Sequence, residues 1–340
     1  MQENRPVEGT TEVCFVIPVG GRGQDYLMDC LRSIKVESGL PCHVVVVFDG
    51  PPSDALLKEV ATFDSFDMNV IVLPEQRRAA AARNRGVAST DAPVIFFIDS
   101  DVLMGPGALR HALDTLTKAP CDAVFGAYTP DTPASGLFSK LKNFQHSFVH
   151  RENAGPVRSF AGGCSAVRRE AFEEVGGFDE DLAFCEVIVL GIKLARAGKR
   201  ILIDPSITST HLKQYTFLSW LRSELVGRAI PWSSLILAGR AELGQLNTNR
   251  TGITNLLLTF LMLTALLVAL WKGVYLYLFL GLLVVFTWVN RRFAGFVYRH
   301  GSLGLSLAVV PYLVLHYAIA GVGFGIAVFR ALRSRLAFSK

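Results

Sequence analysis

Over its first two hundred residues the chain alternates two kinds of apolar segment, and then it changes to a third. Short continuous runs stand at Val13–Val19 (VCFVIPV), His43–Phe48 (HVVVVF), Asn69–Leu73 (NVIVL) and Val94–Ile98 (VIFFI). Their β-branched content predicts strands buried on both faces. Between them, Asp25–Val36 places Leu27, Leu31 and Ile34 on one helical face, and Asp54–Phe63 and the Ala/Arg-rich Gln76–Ala88 follow as further helices. Strand and helix in alternation predict an α/β fold, a mostly parallel sheet with flanking helices. In such sheets ligands lie beyond the carboxyl ends of the strands. After Asp101 the pattern loosens to helices at Pro106–Lys118, Leu137–His150 and Glu186–Ala197, with strands at Ala123–Tyr128 and Arg200–Ile203.

The third kind of segment is long, apolar and almost free of charge: Asn255–Trp271, Val274–Val289 and Leu303–Phe329. A bilayer crossing takes ~20 apolar residues. The first two are slightly short and, joined by Lys272-Gly273, predict a tight helical hairpin. Ahead of them Tyr215–Leu237 mixes Trp220 and Trp232 with apolar and basic residues, as a helix lying in a membrane interface does. The chain thus divides into a polar tail (1–12), an α/β domain (13–211), an amphipathic interface segment (212–250) and a transmembrane region of two to three spans with a basic tail (251–340).

Composition follows this division. Hydrophobic residues make up 51% of the 340 and the net charge is +5. The basic residues Arg291, Arg292, Arg299, Arg330, Arg333, Arg335 and Lys340 flank apolar spans, which places them at a membrane surface and not on nucleic acid. The first residues carry no apolar leader, so the α/β domain is expected in the cytosol, on a multi-pass protein of the inner (cytoplasmic) membrane. Asn290–His300 then returns to the cytosol, in accord with the positive-inside rule. A full third crossing exports the tail Arg330–Lys340, against that rule, unless the third segment is re-entrant or interfacial. The six cysteines form no CxxC pair and read as small buried thiols in a reducing compartment.

The strand ends carry the chemistry. Asp99-Ser100-Asp101 follows VIFFI directly, and two carboxylates there suit a hard divalent cation, Mn²⁺ or Mg²⁺, that neutralises a pyrophosphate leaving group. Asp49, after the second strand, is placed to accept hydrogen bonds from a ribose or base edge, or simply to shape the Asp-Gly-Pro-Pro turn. Arg83 and Asn84, near the end of an Ala-rich helix, are placed for a phosphate or base and for nearby backbone.

Together, IPVGGR (17–22), FDG (48–50), AARNRG (81–86), FIDSD (97–101) and GGCSAVRREAFEEVGGFDEDL (162–182) resemble a family-2 inverting glycosyltransferase of GT-A fold. HLKQYT and RAIPW resemble the membrane-proximal part of bacterial members with C-terminal transmembrane helices. The resemblance implies a nucleoside-diphosphate-sugar donor, with Pro18, Val19 and Asp49 cradling the nucleoside and Arg83 nearby. Asp101 would bind the metal with Asp99 on the sugar-ribose side. Gly162, Gly163 and Cys164 would border the donor sugar and the acceptor cleft, and His211 would add a metal ligand or a phosphate contact. One departure stands out. Where the family carries an acidic pair, whose Asp is the base, and a further acidic residue, this chain reads Glu186-Val187-Ile188-Val189. An inverting transfer from a hydroxyl needs a base, so three readings stand: Glu186 serves, activity is weak or lost, or the acceptor is a phosphate or carboxylate that needs none. The expected function is sugar transfer to a membrane-associated, lipid or polyprenyl-type acceptor. The alternative is a nucleotide-sugar-binding membrane protein with little turnover. A nucleotidyltransferase would need a lysine in the loop after the first strand, where Gly20-Gly21-Arg22-Gly23 has none.

Overall fold

The computed structural model describes residues 13–38, 42–63, 67–241 and 248–338, so the polar tail 1–12 lies outside the described residues. It separates into two units. One comprises the residues up to Ala127 together with Ala154–Leu212, and the other Tyr128–Asn153 together with Lys213 onward.

The first unit opens with β1 (Val13–Val19), a 3₁₀ turn at Gly21–Tyr26 and α1 (Leu27–Ser38). Then come β2 (His43–Phe48), α2 (Asp54–Ala61), β3 (Asp67–Val72), α3 (Arg78–Val87) and β4 (Val94–Ile98). These four strands pair in parallel, in the order β3-β2-β1-β4. Every residue of β1 is buried, which explains its unbroken apolar run. Past Asp101 the sheet turns antiparallel. β5 (Val102–Met104) leads to α4 (Ala108–Lys118) and β6 (Ala123–Tyr128). In the other unit α5 (Leu137–Glu152) follows, and the chain returns through β7 (Gly155–Val157), β8 (Cys164–Arg168), α6 (Arg169–Glu174), α7 (Glu186–Arg196) and β9 (Ile201–His211). β8 pairs antiparallel with β4 and β6, while β9 takes β5 and β7. The sheet is therefore mixed, parallel where strand and helix alternate in sequence and antiparallel beyond. β9 runs eight residues further than the predicted Arg200–Ile203, because Asp204-Pro205-Ser206 interrupts its apolar pattern without ending its pairing.

The six cysteines are thiols and not disulfides, and five of them are buried. Burial pushes the Cys14 thiol up to about 11 and that of Cys164 up to about 12.

The second unit is helical. After α5 it holds α8 (Phe217–Glu224), a π-helical turn at Leu225–Ala229 and α9 (Ile230–Leu237). α10 (Arg250–Ala269), α11 (Tyr275–Val289), α12 (Arg291–His300), α13 (Leu303–Leu307) and α14 (Val309–Phe338) complete it. Among the described residues Arg250–Ala269 and Leu303–Arg333 are each long and apolar enough to cross a membrane, and α11 and α12, bent by 59° at Asn290, reach that length only as a pair. α5 packs with these helices: Leu141 and Phe144 share a core with Trp220, Phe286, Phe296 and Tyr312. The Asn255 and Asn290 side chains exchange hydrogen bonds of 2.9 and 2.8 Å and tie α10 to the end of α11.

Candidate functional site

Three neighbouring parallel strands end together. Val19 pairs with Phe48 in register, and Val16 with Phe97, so the residues after β1, β2 and β4 meet at one end of the sheet. This brings Val19, Asp49 and Asp99 to a common edge. Pro18 and Val19 themselves are buried within β1.

Asp49 is committed to backbone. Its Oδ1 accepts from the Arg77 N–H at 2.6 Å and the Arg78 N–H at 2.9 Å, the latter shared with Oδ2 at 3.0 Å. These are donors at the start of α3, where helical N–H groups lack partners. Arg78 has φ of 73°, a left-handed conformation that costs a non-glycine residue about 1–2 kcal/mol. The Asp49 carboxylate helps to hold it there. α3 thereby delivers Arg83 and Asn84.

Arg83 is 4% exposed. Its Nη2 donates to Asp99 Oδ1 at 2.7 Å and its Nη1 to Glu186 Oε1 at 2.9 Å. Burial opposes the charge, but the two carboxylates more than offset it and raise the guanidinium above its ordinary value. Phe178 lies under the guanidinium, 5.3 Å from its ring centroid. That ring packs on Phe97 and Phe172 at 5.2 and 5.5 Å.

Asn84 fastens the loop that leads to Glu186. Its Nδ2 donates to Phe178 O and to Glu180 Oε1, both at 2.9 Å, and its Oδ1 accepts from the Phe178 N–H at 3.0 Å. The loop ends in Cys185, the second described non-glycine residue with positive φ, at 67°. The helices carrying Arg83 and Glu186 thus both begin at a left-handed residue.

Glu186 opens α7, and Val187 turns toward Gly162. A Cβ placed on Gly162 would lie 2.9 Å from Val187 Cγ1 and 3.2 Å from Arg83 Nη2, so only glycine fits without displacement. Gly163 accepts from the Asp99 N–H at 3.3 Å, which ties the Gly162-Gly163 segment to the aspartate triplet. Cys164 follows in β8, paired with Ile98.

Asp101 has a different neighbour from Asp99. The pairing of Val102 with His211 carries His211 alongside, and Asp101 Oδ2 lies 3.9 Å from His211 Nε2. Ser100, between the aspartates, is buried. Among the described residues no group of three or more His, Cys, Asp and Glu side chains converges as a ready-made metal site. An oxygen and an imidazole nitrogen on one side of an acidic triplet still fit a divalent cation that takes its remaining ligands from a diphosphate and water, as Mg²⁺ commonly does.

Of the residues that sequence reasoning singles out, the structure brings Arg83, Asp99 and Glu186 into direct contact, while Asp49 bonds to the Arg77 and Arg78 backbone and Asp101 lies near His211. Sequence reasoning missed the role of Phe178 and the bonds from Asp49 to the Arg77 and Arg78 backbone, for which the only trace in sequence is the FDG–AARNRG–GGF order.

Residues 14–176 match glycosyl transferase family 2. The chain is 25% identical over 222 residues to the O-antigen chain rhamnosyltransferase RfbN of Salmonella typhimurium, across 60% of this chain and 68% of that one. It is 27% identical over 146 residues to the N-acetylglucosaminyl-diphospho-decaprenol L-rhamnosyltransferase of Mycobacterium tuberculosis, across 36% of this chain and 48% of the relative. Among solved structures, a mannosyltransferase from Pyrobaculum calidifontis, in complex with GDP-Man and Mn²⁺, superposes with a TM-score of 0.56 at 17% identity, covering 92% of this chain and 86% of that one.

Proposed function

The chain carries a glycosyl transferase family 2 domain on a GT-A fold, and from that premise we propose that it moves a sugar from a nucleoside-diphosphate-sugar donor to a lipid-linked acceptor at a membrane, with inversion at the anomeric carbon. The observation that carries the donor half is the Arg83 bridge between Asp99 and Glu186 at the shared ends of β1, β2 and β4. The nucleoside is to lie against Pro18, Val19 and the Asp49 turn. Asp101 and His211, with Asp99 adjoining, are the residues that would hold Mn²⁺ or Mg²⁺, which when bound neutralises charge on the departing diphosphate. The sugar is to face the Gly162-Gly163 segment, which the bond from the Asp99 N–H to the Gly163 carbonyl holds beside the aspartate triplet.

In the transfer, an acceptor oxygen bonds to the anomeric carbon as the bond to the diphosphate breaks. For a hydroxyl acceptor the proton goes to Glu186, the carboxylate that opens α7. Glu186 holds Arg83 through Oε1, so Oε2 is the oxygen that takes the proton. This geometry, with Val187 packed on Gly162, also favours a second reading in which the protein binds nucleotide-sugars and turns them over slowly. The relative in Mycobacterium tuberculosis named for a diphospho-decaprenol compound and the apolar helices α10 and α14 support a lipid-linked acceptor at a membrane; the cytosolic face of the inner membrane is the side on which the basic segment Asn290–His300 favours placing it.

A thermal-shift screen of nucleoside-diphosphate sugars, with and without Mn²⁺, tests the donor half. At least one donor is expected to stabilise the protein with Mn²⁺ present, and Asp101→Ala is expected to abolish the metal-dependent part. No response to any donor, or an undiminished response in Asp101→Ala, overturns the reading.

A further inference from the structure

The helical unit contains a second concentration of charge, remote in sequence from the aspartate triplet. Lys142 of α5 is ion-paired with Glu224 Oε1 of α8, and both are 3% exposed. Oε2 of the same carboxylate lies 3.0 Å from His316 Nδ1 of α14. Gln145 lies 3.2 Å from His316 Nε2 and accepts from the Tyr312 hydroxyl at 2.8 Å. Ionisable groups buried among apolar helices are costly, and they mark functional positions more often than others do.

Arg228 stands at the edge of this cluster. It lies four residues after Glu224, on the π-helical turn Leu225–Ala229. Such turns occur often at functional sites. The turn is held firmly: a Cβ on Gly323 of α14 would lie 2.4 Å from Ala229 Cβ, so the two backbones meet at contact distance. The Arg228 side chain is half-buried, and among the described residues it has no hydrogen bond or ion pair. Its charge is nonetheless felt by its neighbours. Burial, aided by Arg228 and Lys213, draws the Lys142 ammonium down to about 8 against the opposing pull of Glu224. Glu224, despite burial, is held well below the usual carboxylate range by Lys142, His316 and Arg228. Lys142 and Arg228 thus both act on the one carboxylate of Glu224, which is already ion-paired with Lys142.

A guanidinium presents its N–H groups in a fork that matches phosphate, and it is the group most often used for that recognition. Basic pockets between membrane helices hold phosphate headgroups in the same way. We propose that Arg228, backed by the buried Lys142–Glu224 pair, binds the phosphate group of a polyprenyl-type lipid acceptor. This assignment rests on the lipid-acceptor reading above and names the residue that recognises the lipid. Lys142 sets the depth of the site and Arg228 makes the contact. No covalent step is involved.

The test uses the full-length protein in detergent, free of phosphate buffer. Thermal stabilisation is titrated with a polyprenyl monophosphate, the matching polyprenol, inorganic phosphate and phosphatidylglycerol, and a nucleotide-sugar with Mn²⁺ is run in parallel. The polyprenyl monophosphate is expected to stabilise the wild type and the polyprenol is not. Arg228→Ala is expected to weaken the lipid response by about tenfold or more, with partial rescue in Arg228→Lys and an unchanged donor response. Equal responses to polyprenol and polyprenyl phosphate, an unchanged affinity in Arg228→Ala, or an equal response to phosphatidylglycerol or to inorganic phosphate overturns the assignment. A donor response without a lipid response sinks this inference alone. A lipid response lost in Arg228→Ala, with no donor response, sinks the transferase reading and leaves the phosphate site standing.

Discussion

Arg83 carries a charge into a space almost closed to water, and burial alone would favour its loss. Two carboxylates, from Asp99 sixteen residues on and Glu186 more than a hundred on, keep it charged. Removing one partner of such a buried arrangement is costly, because the group left behind keeps its desolvation penalty. Glu186→Gln separates the two duties of that residue, since an amide oxygen still accepts from Arg83 but cannot take a proton. If Glu186 is the base, kcat falls by about 10²–10⁴ while donor affinity stays near the wild-type value. If it only holds Arg83, Glu186→Gln is near neutral and Glu186→Ala weakens donor binding. Steady-state kinetics beside donor titration of both variants decides between them. Arg83 and Glu186 were both legible in sequence as charged residues in suggestive places. Their bond was not, because side chains a hundred residues apart leave no local pattern.

At the scale of elements, legibility followed local signal. β1 to β4 stand out because each is a continuous β-branched run buried on both faces. β5 (VLM), β7 (GPV) and β8 (CSAVR) are three to five residues long, and two of them mix in Gly, Pro or polar residues. Only pairing with distant strands makes them strands, and tertiary context of that kind is absent from a local window. α5 shows the same limit. Its helical period is readable, but its membership of the helical unit rests on contacts with residues 70 and more positions away. The Lys142–Glu224 pair is one of these. Lys142→Met alone leaves Glu224 buried beside His316 without its lysine and is expected to cost about 3–5 kcal/mol of stability. The double variant Lys142→Met/Glu224→Gln removes both charges and is expected to recover most of that loss. Reversible unfolding of the three proteins in detergent measures the difference. A single-variant cost below about 1 kcal/mol would mean that the pair does not fasten α5 to α8.

The whole molecule combines a sheet that ends in acidic residues with helices whose exposed surface is apolar. Leu270, Trp271, Val274 and Tyr277 are each at least 66% exposed at the turn between α10 and α11. Apolar surface of this extent needs a non-aqueous neighbour. α12, by contrast, buries Phe293, Phe296 and Val297 and bears Arg291, Arg292, Arg299 and His300. Arg291 rests over the Trp288 ring at 4.0 Å, and Arg292 pairs with Glu152 at 2.7 Å. A basic amphipathic helix meeting an apolar one at 59° is the form of a chain leaving a bilayer and lying along its surface. Reporter fusions test the topology. A fusion after Lys272 is expected to report the non-cytosolic side and one after Gly301 the cytosol. The reverse pattern, or cytosol at both, removes the hairpin crossing.

The buried thiols have a practical consequence for such work. The thiolate is the form that reacts with alkylating reagents. Cys14, Cys30, Cys121 and Cys164 are all shielded from solvent and shifted upward, away from that form. Cys185 is buried as well, which leaves half-buried Cys42 as the most accessible. With Cys42 replaced, the native chain needs no further editing before a reporter cysteine is introduced. A maleimide probe at an outward position such as Leu218 would then read its own surroundings against a nearly silent background.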